Sequence, residues 1–157
     1  MEDYKFKDLT RRIIGCAMEV HKQIGPGFPE GIYQRCLAIE MRREGLNFES
    51  EVHLPLYYRE EPVGSRRVDF LVEEAILLEL KATADLTPVH HAQIINYLNA
   101  YRLEVGLLLN FGQESLIYKR FVKTQKNSPL QKRSGLQESA KSLLKSAKSA
   151  ILVGVQD

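Results

Sequence analysis

Val68-Asp69-Phe70-Leu71-Val72, Glu73-Glu74 and Ala75-Ile76-Leu77-Leu78-Glu79-Leu80-Lys81 form the stretch whose reading decides the fold. Two short apolar runs separated by a pair of acids read as neighbouring β-strands. Each run carries charge inside an otherwise apolar segment, and unpaired charge costs several kcal/mol to bury. Such groups are therefore paired with each other or hold a metal. Side chains two apart on a strand share a face, so Glu79 and Lys81 point one way and Leu78 and Leu80 the other. An acid from each strand and an ammonium beside them make a donor set for a divalent cation, suited to chemistry at a phosphodiester.

That reading depends on register. Directly opposed residues of an antiparallel pair share a face. A regular two-residue turn at Glu73-Glu74 sets Asp69 across from Leu78, and the two acids then face opposite sides of the sheet. A three-residue connection, Glu73-Glu74-Ala75, or a bulge near Asp69 sets Asp69 across from Glu79. The sequence chemistry predicts the second arrangement.

Around this hairpin the chain reads as α, α, β, β, β, α, β, β. Leu9, Ile13, Ala17, Val20, His21 and Ile24 recur at helical spacing over residues 8–24. Gly25-Pro26-Gly27-Phe28-Pro29 breaks that helix, and a second, about 30–45, carries Tyr33, Leu37 and Met41 on one stripe and stops at Gly45. Residues 50–58 alternate, with Val52, Leu54, Leu56 and Tyr58 on the side expected to be buried. Thr87 and Pro88 are a helix N-cap and first helical residue, opening a helix through Gln93, Tyr97 and Tyr101 to about Leu103. Val105–Asn110 and Ser115–Val122 read as closing strands. A meander followed by a helical crossover predicts an α/β architecture with a mixed sheet.

Composition sets the class. The chain has 157 residues, 44% hydrophobic and 27% charged, an ordinary balance for one globular domain. Its net charge of +2 hides an asymmetry: residues 1–123 hold 16 Lys+Arg against 18 Asp+Glu, and residues 124–157 hold 6 against 2. Any nucleic-acid affinity of the first segment must come from local patches or a bound cation. Residues 124–157 are rich in Ser, Lys and Gln. Leu136, Ala140, Leu143, Leu144, Ala147 and Ile151 give them at most a marginal amphipathic helix, and the segment is expected to be dispensable for folding and chemistry. Cys16 and Cys36 fit small buried hydrophobes in a reducing compartment. The first residues lack a signal-peptide core and no apolar run approaches the ~20 residues of a membrane span, so a cytoplasmic protein is expected.

Several spaced motifs together resemble a known family. Gly27-Phe28-Pro29-Glu30-Gly31-Ile32-Tyr33 matches the G-x-x-E-x-x-Y signature of the prokaryotic GxxExxY proteins. Glu19-Val20-His21, Asp69, Glu79-Leu80-Lys81, the Gln93–Tyr97 helix and Gly106-Leu107-Leu108-Leu109-Asn110-Phe111-Gly112 follow in order, covering about residues 8–122. That family resembles a branch of the PD-(D/E)XK nuclease superfamily, with its restriction-endonuclease-like αβββαβ core of a mixed sheet flanked by helices. The resemblance implies Asp69 and Glu79 as metal ligands, Glu30 as the helical acid completing the site, and Lys81 as the lysine assisting attack or stabilising charge. It implies Gln93 and Tyr97 as the Q-x-x-x-Y helix pair. Val68 stands in place of the motif proline, which many members of the family also lack.

The implied activity is Mg²⁺- or Mn²⁺-dependent hydrolysis of phosphodiester bonds, with DNA as the expected partner. Hard oxygen ligands at Asp69 and Glu79 suit either ion. Two rivals stand beside this reading: a non-catalytic nucleic-acid- or protein-binding module that kept the fold, and a regulatory partner that docks through the basic tail. The histidines do not form zinc-ligand spacing. His21 fits a structural role, His53 a solvated strand position and His90 the helix face of Gln93 and Tyr97.

Overall fold

The computed structural model describes residues 6–123; the helix considered within residues 124–157 lies outside the described residues. The elements are α1 (Lys7–Ile24), α2 (Glu30–Arg43), β1 (Phe48–Tyr58), β2 (Glu61–Val72), β3 (Ile76–Lys81), α3 (Pro88–Tyr101), β4 (Val105–Asn110) and β5 (Ile117–Val122). They are the elements expected from the sequence, in the expected order.

The five strands form one mixed sheet in the order β1-β2-β3-β4-β5. β1–β2, β2–β3 and β4–β5 are antiparallel. β3 and β4 are parallel, joined by the α3 crossover that parallel neighbours require. The hairpin takes the register that the two acids need: Val72 pairs with Ile76, Leu71 with Leu77 and Phe70 with Leu78. Its turn is tight, with Glu73 and Glu74 at φ 50° and 55° and the Ala75 N–H donating to Val72 O at 3.0 Å. Ala75 is the extra residue that moves the pairing by one. Side chains seldom adopt this left-handed backbone. Two bonds to the start of β1 hold the turn there: Glu73 N–H to Asn47 O and Asn47 N–H to Glu73 Oε1, both 2.8 Å.

Alternation then sorts the sheet. Phe70, Val72, Ile76, Leu78, Leu80, Val105, Leu107 and Leu109 join one core with Ile13, Cys16, Ala17 and Val20 of α1 and Tyr33, Leu37 and Met41 of α2. The other face packs on α3. A Cβ at Gly106 would lie 3.0 Å from Ile94 Cδ1, so glycine there lets α3 approach β4 closely. Leu77 pairs with Gly106 and therefore shares that face, as do Glu79 and Lys81 two and four residues on. The charged residues of β3 thus lie on the α3 side, away from the larger core.

One strand departs from expectation. Only Leu54 of the alternating set on β1 is buried; Val52 and Leu56 are half-buried, and Tyr58 is 65% exposed. The cause is topological: β3 pairs with β2 only over Phe70–Val72, so the rest of β1 and β2 runs on as a two-stranded ribbon. Cys16 and Cys36 are free thiols. Among the described residues no helix is long and apolar enough to cross a membrane.

Candidate active site

One step beyond the Phe70–Leu78 pair stand Asp69 and Glu79, where side chains take over the bonding between β2 and β3. The Asp69 N–H donates to Glu79 Oε1 at 3.3 Å, and the Leu80 N–H donates to Asp69 Oδ2 at 2.8 Å. Each carboxylate spends one oxygen on the neighbouring strand, leaving its second as the donor for an ion. Both residues are only 7% exposed. Burial pushes the Glu79 carboxyl up to about 8, with the Asp69 charge adding to the effect. Burial also raises Asp69, against the Leu80 N–H and the Lys81 charge, which favour its ionised form. Two adjacent buried acids that resist ionisation are an arrangement that a cation relieves.

Lys81 supplies part of that relief. It ends β3, half-buried, opposite Asn110 of β4, and its charge acts on Asp69, Glu79 and Glu30 together. The loop that follows is clasped to β4 by the fully buried Asn110. Asn110 Nδ2 donates to Thr83 O at 3.0 Å, while its Oδ1 accepts from Thr83 N and Gly112 N, each at 3.1 Å. The Phe111 N–H reaches Lys81 O at 2.8 Å. A Cβ on Gly112 would overlap the Thr83 backbone, so glycine is what lets the two loops meet.

Residues 7–121 match the sequence pattern of the PD-(D/E)XK nuclease superfamily. The chain belongs to that superfamily. The matched residues span α1 to β5 and include the Asp69–Glu79 pair and Lys81. The mixed five-stranded sheet with flanking helices is a restriction-endonuclease-like fold. The crystal structure of SSO0001 is similar, with 17% identity and a TM-score of 0.48; the match covers 78% of this chain and 57% of that protein. The chain thus spans a little over half the length of SSO0001. No curated protein matches the chain.

In this member of the PD-(D/E)XK nuclease superfamily, the other residues implied by the sequence surround the Asp69–Glu79 pair to different degrees. Glu30 is the first residue of α2, and its carboxyl feels Lys81, Asp69 and Arg67, with partial burial raising its proton affinity. It borders the Asp69–Glu79 pair. Among the described residues no group of three or more His, Cys, Asp or Glu is gathered to hold an ion. Glu30 stands on the first turn of a helix that packs on the other face of the sheet. Two buried carboxylates still fit Mg²⁺, which commonly takes one or two protein carboxylates and keeps several waters.

Tyr97 of α3 is 8% exposed, and the charges of Glu79 and Asp69 act on its hydroxyl. Gln93 lies one turn earlier on the same stripe, half-buried. His90 instead serves the helix start, its Nδ1 accepting the Thr87 N–H at 3.1 Å. Sequence reasoning passed over Tyr101, one turn after Tyr97, although the i, i+4 spacing was there to read. It is 9% exposed, its hydroxyl is buried without a hydrogen-bond partner, and the Glu79 charge reaches it.

The signature tyrosine has a structural duty. Fully buried Tyr33 stacks on Phe111 with centroids 4.6 Å apart, and its hydroxyl donates to Gly25 O at 2.6 Å while accepting from Phe28 N at 3.2 Å. Those bonds fold the Gly25–Pro29 turn, where Gly25 and Gly27 take φ 65° and 104°, and so set where Glu30 begins α2. His21 is likewise structural, its Nε2 bonded to Gln113 O at 2.8 Å. Replacing Tyr33 with Phe keeps the ring stack and strands a carbonyl and an N–H, so it should cost about 1–3 kcal/mol in chemical denaturation. An unchanged midpoint would show that the turn holds itself.

Proposed function

We propose that this chain is a Mg²⁺-dependent nuclease of the GxxExxY branch that hydrolyses DNA phosphodiester bonds. The observation carrying the reading is the buried Asp69–Glu79 pair, cross-bonded between β2 and β3 with the Lys81 ammonium beside it. A divalent cation held by those carboxylates supplies Lewis acidity to the phosphate and to the attacking water. The protein's own groups do the rest. Asp69 and Glu79 are held rigidly by main-chain bonds, so a bound group is oriented without reorganising the site. Lys81 faces the charge that accumulates on phosphate oxygens as the bond to the leaving oxygen breaks. Glu30, whose carboxyl feels the charges of Lys81 and Asp69, is the third acid proposed for the site. Tyr97, with Gln93 one turn before it, walls the α3 side. The spacing of Gly27, Glu30 and Tyr33, now seen to build one turn, supports the GxxExxY assignment.

The test is cleavage of labelled DNA and RNA by the purified full chain, with Mg²⁺, with Mn²⁺ and with chelator. DNA cleavage that needs the divalent ion is the expected result. Binding without cleavage under every metal condition would overturn the reading in favour of a non-catalytic module.

A further inference from the structure

The β1–β2 ribbon is the largest feature that the site does not use. It departs from the sheet at the catalytic level itself: Val52 pairs with Val68, the neighbour of Asp69, and pairing continues to Tyr58 and Glu61. Past Leu54 both of its faces are open to solvent apart from half-buried Leu56. Free ribbons of this length are marginal on their own and call for a partner. At the end, Tyr57 and Tyr58 are 53% and 65% exposed, and Val63 is 63% exposed. Consecutive strand residues point to opposite faces, so the tip carries one tyrosine ring on each side. The tip is a tight turn, with Arg59 and Glu60 at φ 48° and 69°, and the Arg59 guanidinium lies 5.7 Å from the Tyr58 ring centre.

Charge is graded along the ribbon. Arg66 and Arg67 lie at its root, where Arg67 acts on Asp69 and Glu30 and Arg66 on Tyr97; Arg67 also pairs with Glu51 at 3.4 Å, an exposed pair of the kind worth little, which a phosphate can displace. Glu60 and Glu61 lie at the tip beside Arg59, which leaves it a net single negative charge. Phosphates are therefore drawn to the root in preference to the tip, which leaves the tip to meet bases. A second copy of the chain adding a strand is the competing occupant. Pro55 removes a donor from β1, the sheet's edge strand, and Glu51 kinks it at φ 54°, both of which blunt edge pairing.

Resting on the nuclease reading, we infer that the ribbon is a substrate arm inserted where two nucleic-acid strands part. Tyr57 and Tyr58 stack on exposed bases to either side, and Arg66 and Arg67 hold the backbone of the strand led to Asp69 and Glu79. A blunt duplex offers base edges in its grooves and base faces only at its two end pairs, whereas a fork offers a terminal pair flanked by unpaired bases on both strands. Seven residues separate Pro62, the partner of Tyr57, from Asp69, roughly 23 Å of strand at about 3.3 Å per residue. Along a stacked strand that is about seven nucleotides, at about 3.4 Å each, from the fork to the cut.

The experiment is fluorescence anisotropy of the full chain in chelator with a labelled forked DNA, the matching blunt duplex and each arm as a single strand. The fork should bind roughly five- to hundredfold tighter than the duplex, and tighter than either single strand. The Tyr57→Ala/Tyr58→Ala double variant should lose that preference, and Tyr57→Phe/Tyr58→Phe should keep it. Equal affinity for fork and duplex, single strands binding as well as the fork, or a preference that survives the alanine variant would each overturn the inference. Because binding is read without metal, a fork preference in a chain that never cleaves would sink the nuclease reading and leave the arm standing.

Discussion

Glu79→Gln should abolish divalent-cation binding and cleavage while making the metal-free protein more stable above neutral pH. The amide keeps an oxygen that can accept the Asp69 N–H, so the link between β2 and β3 survives. What it removes is a buried negative charge beside another. The Glu79 carboxyl has its proton affinity raised to about 8 in the folded chain, from an ordinary 4.5. Between those values the folded chain keeps the proton that the unfolded chain has released. The stabilising contribution is therefore fully present below the ordinary value, declines as pH climbs, and is gone above about 8. Asp69, also raised, acts in the same direction. Inside the window each pH unit removes up to about 1.4 kcal/mol per group. Melting curves in chelator should fall with pH for the natural chain and stay flatter for Glu79→Gln. With Mg²⁺ present the natural chain should regain stability at high pH, because ion and proton compete for the same oxygens. Cleavage undiminished in a clean Glu79→Gln preparation would remove Glu79 from the site altogether.

The same pair shows how much of this molecule was legible beforehand. Local chemistry was enough to fix the hairpin: once Asp69 and Glu79 must share a face, chain parity demands one residue beyond a two-residue turn, and Ala75 is that residue. The Thr87-Pro88 start of α3 and the Gly25 stop of α1 were equally local. The ribbon was not legible, because Val52, Leu54, Leu56 and Tyr58 alternate just as a covered strand does. Whether a third strand lies alongside is decided by where β3 begins to pair, which no window within β1 records. The approach of Glu30 to Lys81 and Asp69 was not legible for a related reason: its place in the signature is a sequence fact, but its neighbours depend on how α2 packs on the sheet. Asn110 became meaningful only when the loops after β3 and β4 were seen to meet.

Lys81→Met should leave the metal bound and reduce turnover by about a hundred- to a thousandfold, the loss typical of removing one preorganised transition-state partner. Methionine preserves the unbranched bulk of the half-buried side chain and deletes its charge. The lysine lowers the proton affinity of Asp69, Glu79 and Glu30 alike, so without it the acids hold protons more tightly. It also repels a bound cation. Proton and metal are both disfavoured by the same ammonium, so its removal strengthens both competitors and their balance at neutral pH moves little. Calorimetric titration with Mg²⁺ should accordingly give an affinity within a few-fold of the natural chain. The kinetic loss should fall on kcat rather than KM, since the charge it answers grows only as the phosphate bond breaks. A stability role makes the opposite forecast. If Lys81 serves chiefly to neutralise the buried acids, the variant in chelator should melt far below the natural chain at high pH, and its remaining folded fraction should turn over normally. Equal kcat per folded molecule would therefore take Lys81 out of the chemistry and leave it as the counter-charge of the Asp69–Glu79 pair.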